Sequence, residues 1–388
     1  MFRIQTLNKI SPIGLDYFPR DKYEIASDIP NPDAILVRSA DMNSSQIPSS
    51  VLAIARAGAG YNNIPVARCS ENGVVVFNTP GANANAVKEL ALASMLLSSR
   101  DIVGGINWTS SVADKSDVTD LIEKEKSKFT GPELKGKTLG VVGLGAIGVM
   151  VANDAIALGM DVIGYDPFIS VEAAWHLSSD VVRADTLESL LMKSDYVTLH
   201  LPLSDNTKGL FDAEKFRMMK KDARIINLSR AALVKDKDII EALNSDKLSG
   251  YVTDFPNKEL LSCKKVVGIP HLGASTPEAE DNCAVMAVKQ LIDYLEMGAI
   301  RNSVNFPRCK LELRAPYRLL VVNKNIPNMV GQITSILAGV KINITDLINH
   351  HHDDYAYNII DTEQEITDSV LGQISKVDGI IRVRTIKK

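Results

Sequence analysis

Short apolar runs separated by polar and glycine-rich turns recur along the first 270 or so residues. Ala34–Arg38, Leu52–Arg56 and Val74–Phe77 are nearly continuous in apolar character, as expected of strands buried on both faces in a parallel sheet. A helical pattern runs from Val87 to Ser99 and continues less regularly toward Trp108. Residues 1–98 therefore predict a parallel α/β unit. A second series follows: Leu139–Val142, Asp161–Tyr165, Tyr196–Leu199, Ala223–Leu228, Gly250–Asp254 and Lys265–Ile269. Its regular spacing predicts a second parallel sheet over 99–277. Glu278–Glu296 places Ala284, Val288, Leu291 and Leu295 on one helical face. That face is expected to return to the first unit, making it discontinuous, 1–98 with 278–311.

The pattern changes over 312–388. A strand at Leu319–Val322 and a helix marked by Val330, Ile333, Ile336 and Leu337 come first. Strands at Ile342–Ile344 and Tyr355–Ile360, a helix at Ile366–Ile374 and a strand at Ile380–Ile386 complete a βαββαβ order. That order predicts a small antiparallel sheet with two helices on one face. The other face has to be covered, and a second copy of the chain is the expected cover. Ser110–Lys128 is polar and charged and is expected on the surface.

Composition adds mainly exclusions. With 23% charged residues and a net charge of −4, the chain has no electrostatic footprint for nucleic acid. No run approaches membrane-spanning length, and the first residues lack an apolar signal core. Cys69, Cys263, Cys283 and Cys309 show no CxxC spacing, which suits reduced thiols in a cytoplasmic protein. His350–His352 with Asp353 and Asp354 reads as a solvated loop, and no metal is expected.

The candidate chemistry gathers where strands end. Leu139–Val142 runs into Gly143-x-Gly145-x-x-Gly148 and then a helical pattern. In that arrangement the first glycine allows the turn, the second admits a pyrophosphate, and the third lets helix and strand pack closely. Asp166 closes the next strand, where a carboxylate accepts from both ribose hydroxyls of NAD and repels the extra phosphate of NADP. In the first unit, Arg38 ends a strand and is the group expected to hold an anion; a solvated surface arginine is the alternative. In the second, Arg230 is the best cation and His271 the best base for oxidising an alcohol. Glu259, 12 residues earlier, could pair with His271 and favour its charged form. His200 reads as a structural residue at a strand end, and His176 lies in an unremarkable helical stretch.

These segments together resemble the D-2-hydroxyacid dehydrogenases, in the branch that oxidises 3-phospho-D-glycerate and carries a C-terminal ACT domain. Val37–Ala40, Arg56–Asn63 and Asn78–Asn83 resemble the substrate-side signatures. Ile226–Arg230 resembles the arginine motif, Pro270–Thr276 the histidine motif and Asp254–Glu259 the acidic segment. Ala231 stands where the family usually has glycine, and Leu260 follows Glu259 where the family has proline. The resemblance implies a Rossmann-type domain, a flavodoxin-like substrate domain and an ACT (ferredoxin-like) tail. It further implies oxidation to 3-phosphohydroxypyruvate with NAD, opening L-serine synthesis, in a homodimer or homotetramer.

By the same resemblance Arg230, Glu259 and His271 would be catalytic. Gly143, Gly145, Ala146, Ile147, Gly148, Asp166, Leu201, Pro202, Leu228, Ser229, Arg230, Asp254, His271 and Gly273 would line NAD. Arg38, Ser39, Gly60 and Asn83, with Arg230 and His271, would line 3-phosphoglycerate. Asn325 and Asn343 would bind L-serine as effector. A glyoxylate or hydroxypyruvate reductase, or a non-catalytic NAD-sensing corepressor, are the alternatives.

Overall fold

Two parallel sheets and one antiparallel sheet carry the chain in the computed structural model, which describes residues 1–388. The chain divides into one unit of Met1–Asn83 with Pro277–Lys388 and another of Ala84–Thr276.

In the first unit, five parallel strands run in the spatial order Tyr23–Ala26, Phe2–Leu7, Ala34–Val37, Ala53–Arg56, Val75–Phe77. This is the flavodoxin-like order 2-1-3-4-5. Its first two strands had no clear signal in the sequence: Phe2–Leu7 has only six positions, and the adjacent polar Gln5 and Thr6 break its alternation. Helix Pro277–Met297 packs Cys283, Ala284, Ala287, Val288, Leu291, Tyr294 and Leu295 into the core with Ile4, Leu36, Ala55 and Phe77. Its apolar stripe does return to the first sheet.

The tail's four strands lie in the order Ile344–His352, Tyr355–Thr362, Tyr317–Lys324, Ile380–Lys387, all neighbours antiparallel. Side chains alternate between its faces with period two. Leu319, Val321 and Ile360 lie under helices Met329–Gly339 and Asp368–Ser375, against Ile333, Leu337, Val370 and Ile374. Leu320, Val322, Tyr357 and Ile359 face the other way and join the core of helix Pro277–Met297, with Leu295, Ile300 and Phe306. The chain thus covers this face itself, where the sequence reading called for a second copy. Hydrogen bonds seal the seam. The Tyr357 hydroxyl donates to the Gly298 carbonyl at 2.8 Å. Arg384 donates to the carbonyls of Leu295 and Tyr294 at 2.9 and 2.7 Å, and Arg382 to those of Val51 and Ser49 at 2.5 and 3.2 Å. The run His350–His352 belongs to the strand Ile344–His352 and not to a loop. Its exposed edge tolerates polar side chains.

In the second unit seven parallel strands take the order Val266–Gly268, Leu248–Thr253, Ala223–Asn227, Tyr196–Leu199, Thr138–Val142, Asp161–Tyr165, Val182–Arg183. The order reverses between Thr138–Val142 and Tyr196–Leu199, the switch point of a Rossmann sheet. Helix Ala84–Ser99 packs Val87, Ala91 and Met95 with Leu139, Val141, Val151 and Ala152. It therefore lies in this unit, whereas the sequence boundary at 98 assigned it to the first. Part of the polar stretch 110–128 is helical, in Ile102–Ser111 and Val118–Glu125, neither of which buries a residue. No helix is long and apolar enough to cross a membrane, and all four cysteines are free and buried.

Candidate active site

The glycine turn is built as its spacing demands. Gly143 has φ +92°, and a Cβ there would lie 2.5 Å from the His200 carbonyl oxygen. A Cβ on Gly148 would lie 1.9 Å from the Gly143 carbonyl oxygen, so only glycine lets helix Ala146–Ala157 start this close to the strand. Beside Gly145 there is open space, and no side chain caps the helix start. Its first N–H groups, those of Ala146 and Ile147 included, are thus available to an anion. Asp166 closes the neighbouring strand and accepts from the N–H of Leu144 at 2.8 Å and of Phe168 at 2.9 Å. Its carboxylate is fixed beside the glycine turn, where a ribose would be met.

The next strand ends bring polar groups to the same edge. Ser229 donates through its hydroxyl to the Leu199 carbonyl at 2.6 Å, and its N–H donates to Asn227 Oδ1 at 3.1 Å. Asn227, fully buried, also donates to the Arg230 carbonyl at 2.9 Å. These bonds hold the turn 227–230 while the Arg230 side chain stays exposed. The guanidinium folds back onto the Ser229 carbonyl at 2.6 Å. Leu228 is buried, Leu201 half-buried and Pro202 exposed.

Asp254 follows the strand Leu248–Thr253 and is only 2% exposed. Neither carboxylate oxygen has a side-chain partner. Burial raises its pKa, while the charges of His271 and Arg230 pull it down. A Cβ on Gly273 would sit 3.5 Å from Asp254 Oδ2, so the segment following His271 passes close over this carboxyl. His271 itself is exposed, its ring 4.8 Å from that of Phe255. Asp254, Arg230 and His271 are thereby brought together.

Glu259 is not part of that group. It lies in the first turn of the short helix Lys258–Leu261, whose N-cap Asn257 accepts from the Leu260 N–H at 2.9 Å. It is exposed and lines a cavity of about 600 Å³ with Lys237, Ile240, Glu241 and Asn244. No ion pair joins it to His271. The helix start turns the side chain toward Asp236–Asn244, so the acid facing His271 is Asp254. His200, at the end of Tyr196–Leu199, has its Nε2 3.0 Å from the Thr198 hydroxyl and its Nδ1 buried without a partner. Burial lowers its pKa to about 4, so the ring is neutral.

In the first unit, Asn8 Oδ1 accepts from the N–H groups of Ser39, at 3.2 Å, and Ala40. Arg56 Nε donates to the Arg38 carbonyl at 3.1 Å, and its Nη1 lies where a Cβ on Gly58 would reach 2.3 Å and on Gly60 3.5 Å. Two arginines therefore share the strand ends. Arg38 is paired with Glu280, which sequence reading missed. The two stand 242 positions apart, and no local pattern links them. Asn83 is half-buried. Asn325 donates to the Asp353 carbonyl at 3.2 Å, whereas the Asn343 N–H donates to Gln364 Oε1 at 2.8 Å. They flank opposite ends of the tail sheet, so a single chain does not bring them together.

Residues 92–273 match the family described as D-isomer specific 2-hydroxyacid dehydrogenase, NAD binding domain. This stretch is similar to that NAD-binding domain. Its cofactor is NAD, and the open space at Gly145, the uncapped helix start and Asp166 fit it. Most of the chain is similar to D-3-phosphoglycerate dehydrogenases. It is 34% identical to that of Methanocaldococcus jannaschii over 84% of this chain and 61% of that one. Against that of Synechocystis sp. it is 34% identical over 86% of this chain and 61% of the relative. The chain thus spans about three-fifths of the length of these relatives. Among solved structures, NAD+-bound 3-phosphoglycerate dehydrogenase of Entamoeba histolytica matches with TM-score 0.61 and 25% identity, over 78% of this chain and 98% of that one. Apo D-mandelate dehydrogenase of Rhodotorula graminis matches with TM-score 0.64 and 26% identity, over 76% and 94%.

Proposed function

We propose that the protein oxidises 3-phospho-D-glycerate to 3-phosphohydroxypyruvate with NAD, in the cytoplasm, as the first step of L-serine synthesis. One observation carries the reading: a buried, otherwise unpartnered Asp254 carboxyl coupled to both an exposed arginine and an exposed histidine. Oxidising a 2-hydroxy acid requires a cation for the carboxylate and a base for the hydroxyl proton. Arg230 serves as the cation and His271 as the base, taking the hydroxyl proton on its ring. Asp254 supports the imidazolium that forms and would stand beside bound NAD. Bound NAD supplies the hydride acceptor. Gly143 to Gly148 and Asp166 hold its pyrophosphate and ribose, and Ser229, Leu201 and Pro202 flank it. Arg38 takes the substrate's phosphate, with Ser39, Gly60 and Asn83 around it.

The tail, read as an ACT module, binds L-serine across paired copies, one contributing Asn325 and the other Asn343. That reading makes the active form a homodimer or homotetramer. NAD reduction across a panel of 2-hydroxy acids, with and without L-serine, tests both parts. Turnover of phosphoglycerate ahead of glycerate and lactate is expected; turnover of none of the panel would overturn the reading.

A further inference from the structure

We infer that Glu280 determines how strongly the half-site at Arg38 favours a phosphate, by competing with the substrate for the Arg38 guanidinium. This rests on the reading of Arg38 given above. Arg38 Nη2 donates to Glu280 Oε1 at 2.5 Å, and the two side chains are 39% and 41% exposed. The pair therefore faces water and is open to a solute.

Its two ends are anchored differently. Glu280 sits in the first turn of helix Pro277–Met297, which is fixed by the buried Cys283 and Ala284 just beyond it. A carboxylate in a first turn is favoured by the helix dipole. The backbone of Arg38 is held through its carbonyl, which accepts from Arg56 Nε at 3.1 Å and Asn63 Nδ2 at 3.4 Å. Its guanidinium can exchange one acceptor for another while the strand end stays in place.

The charges around the half-site then decide what it takes. Arg56 Nε meets the Arg38 carbonyl at 3.1 Å and the Arg38 guanidinium meets Glu280, so the three residues adjoin one another. Arg38 and Glu280 thus face each other with opposite charge. A phosphate monoester carries about −1.5 to −2 at neutral pH. To reach Arg38 it must displace the Glu280 carboxylate and then lie beside it. A neutral hydroxymethyl group at the same place meets no such repulsion. Glu280 thus weakens phosphate binding relative to unphosphorylated analogues and moderates the affinity that Arg38 would otherwise give.

The test is calorimetry on the full chain, titrating 3-phosphoglycerate and, separately, inorganic phosphate into wild type, Glu280→Gln, Arg38→Ala and the double variant. Half-exposed ion pairs are weak, so Glu280→Gln should tighten both ligands on the order of fivefold. The same substitution on the Arg38→Ala background should change neither. Equal or weaker binding in Glu280→Gln, an undiminished gain without Arg38, or no binding in any variant would overturn the proposal. NAD reduction in the same preparations separates it from the assigned reaction. Tightened binding without turnover of phosphoglycerate would sink the reaction and keep the role of Glu280. Unchanged binding with intact turnover would do the reverse.

Discussion

Arg318 holds both carboxylate oxygens of Asp361, at 2.6 and 2.8 Å, with neither side chain exposed at all. Its remaining N–H groups donate to the carbonyls of Met297, Leu311 and Glu312 at 2.8, 3.0 and 3.0 Å, so all five donors are used. A buried charge stripped of its partner is costly. Asp361→Ala should destabilise the first unit by about 3–5 kcal/mol, read as a drop in the urea midpoint. Arg318→Met with Asp361→Leu should recover part of that loss, because no charge is then left buried. A midpoint unmoved by Asp361→Ala would count against this account of the seam.

His271 and Glu259 should separate cleanly in kinetics. His271→Gln should lower kcat by ~10²–10⁴ while leaving NAD affinity near wild type, the usual cost of losing a general base. Glu259→Gln should stay within about threefold of wild type, because the side chain packs beside Asp236–Asn244, where surface changes are usually small. Asp254→Asn should fall between the two and shift the pH profile of kcat/KM. Steady-state rates on the three variants decide it, and a large loss in Glu259→Gln with little in Asp254→Asn would reverse the assignment.

His200 predicts an acid sensitivity. Its folded pKa of about 4 lies below the ordinary 6.5. Between those values the unfolded chain takes up a proton that the folded chain refuses, so this contribution is complete above pH 6.5 and is lost as pH falls toward 4. His200→Gln removes the titration and can still meet the Thr198 hydroxyl. The thermal-midpoint gap between wild type and variant should therefore close from pH 7 to pH 4.5. A gap that stays constant would mean that the ring does not titrate as its burial requires.

Asp166 should set the choice between cofactors. Asp166→Ala should narrow the NAD over NADP preference by at least tenfold in kcat/KM, since the carboxylate both accepts from ribose and repels the added phosphate. Comparable use of NAD and NADP by wild type would remove Asp166 from this role.

Elements with continuous apolar runs were legible in the sequence. Each strand of the second sheet except the two-residue Val182–Arg183 carries at least a short apolar stretch, even where a polar residue interrupts it, as Thr198 does in Tyr196–Leu199. The glycine turn and Asp166 were legible because their spacing encodes a backbone shape. Phe2–Leu7 was not, since a six-residue strand with three polar positions has too weak a period. The strand expected at Ile342–Ile344 shares only Ile344 with the observed Ile344–His352, because Asp346, Asn349 and the histidines break the apolar pattern along an exposed edge. Helix Ala84–Ser99 was recognised as a helix, but the unit it packs on is a tertiary choice. The same holds for Glu259, whose direction is set by the N-cap at Asn257 and by no spacing in the chain, and for Arg38 with Glu280, which only the folded first unit brings together.

The seam between the tail and the first sheet has a practical consequence. Cutting the chain near residue 311 would bare Leu320, Val322, Tyr357 and Ile359 on one fragment and Leu295, Ile300 and Phe306 on the other. Each fragment would carry a raw apolar wound, and Arg318 would lose the carbonyls of Met297 and Leu311 that it holds across the cut. The tail is thus no interchangeable cassette, and grafting it onto another enzyme would require transplanting the back of helix Pro277–Met297 with it.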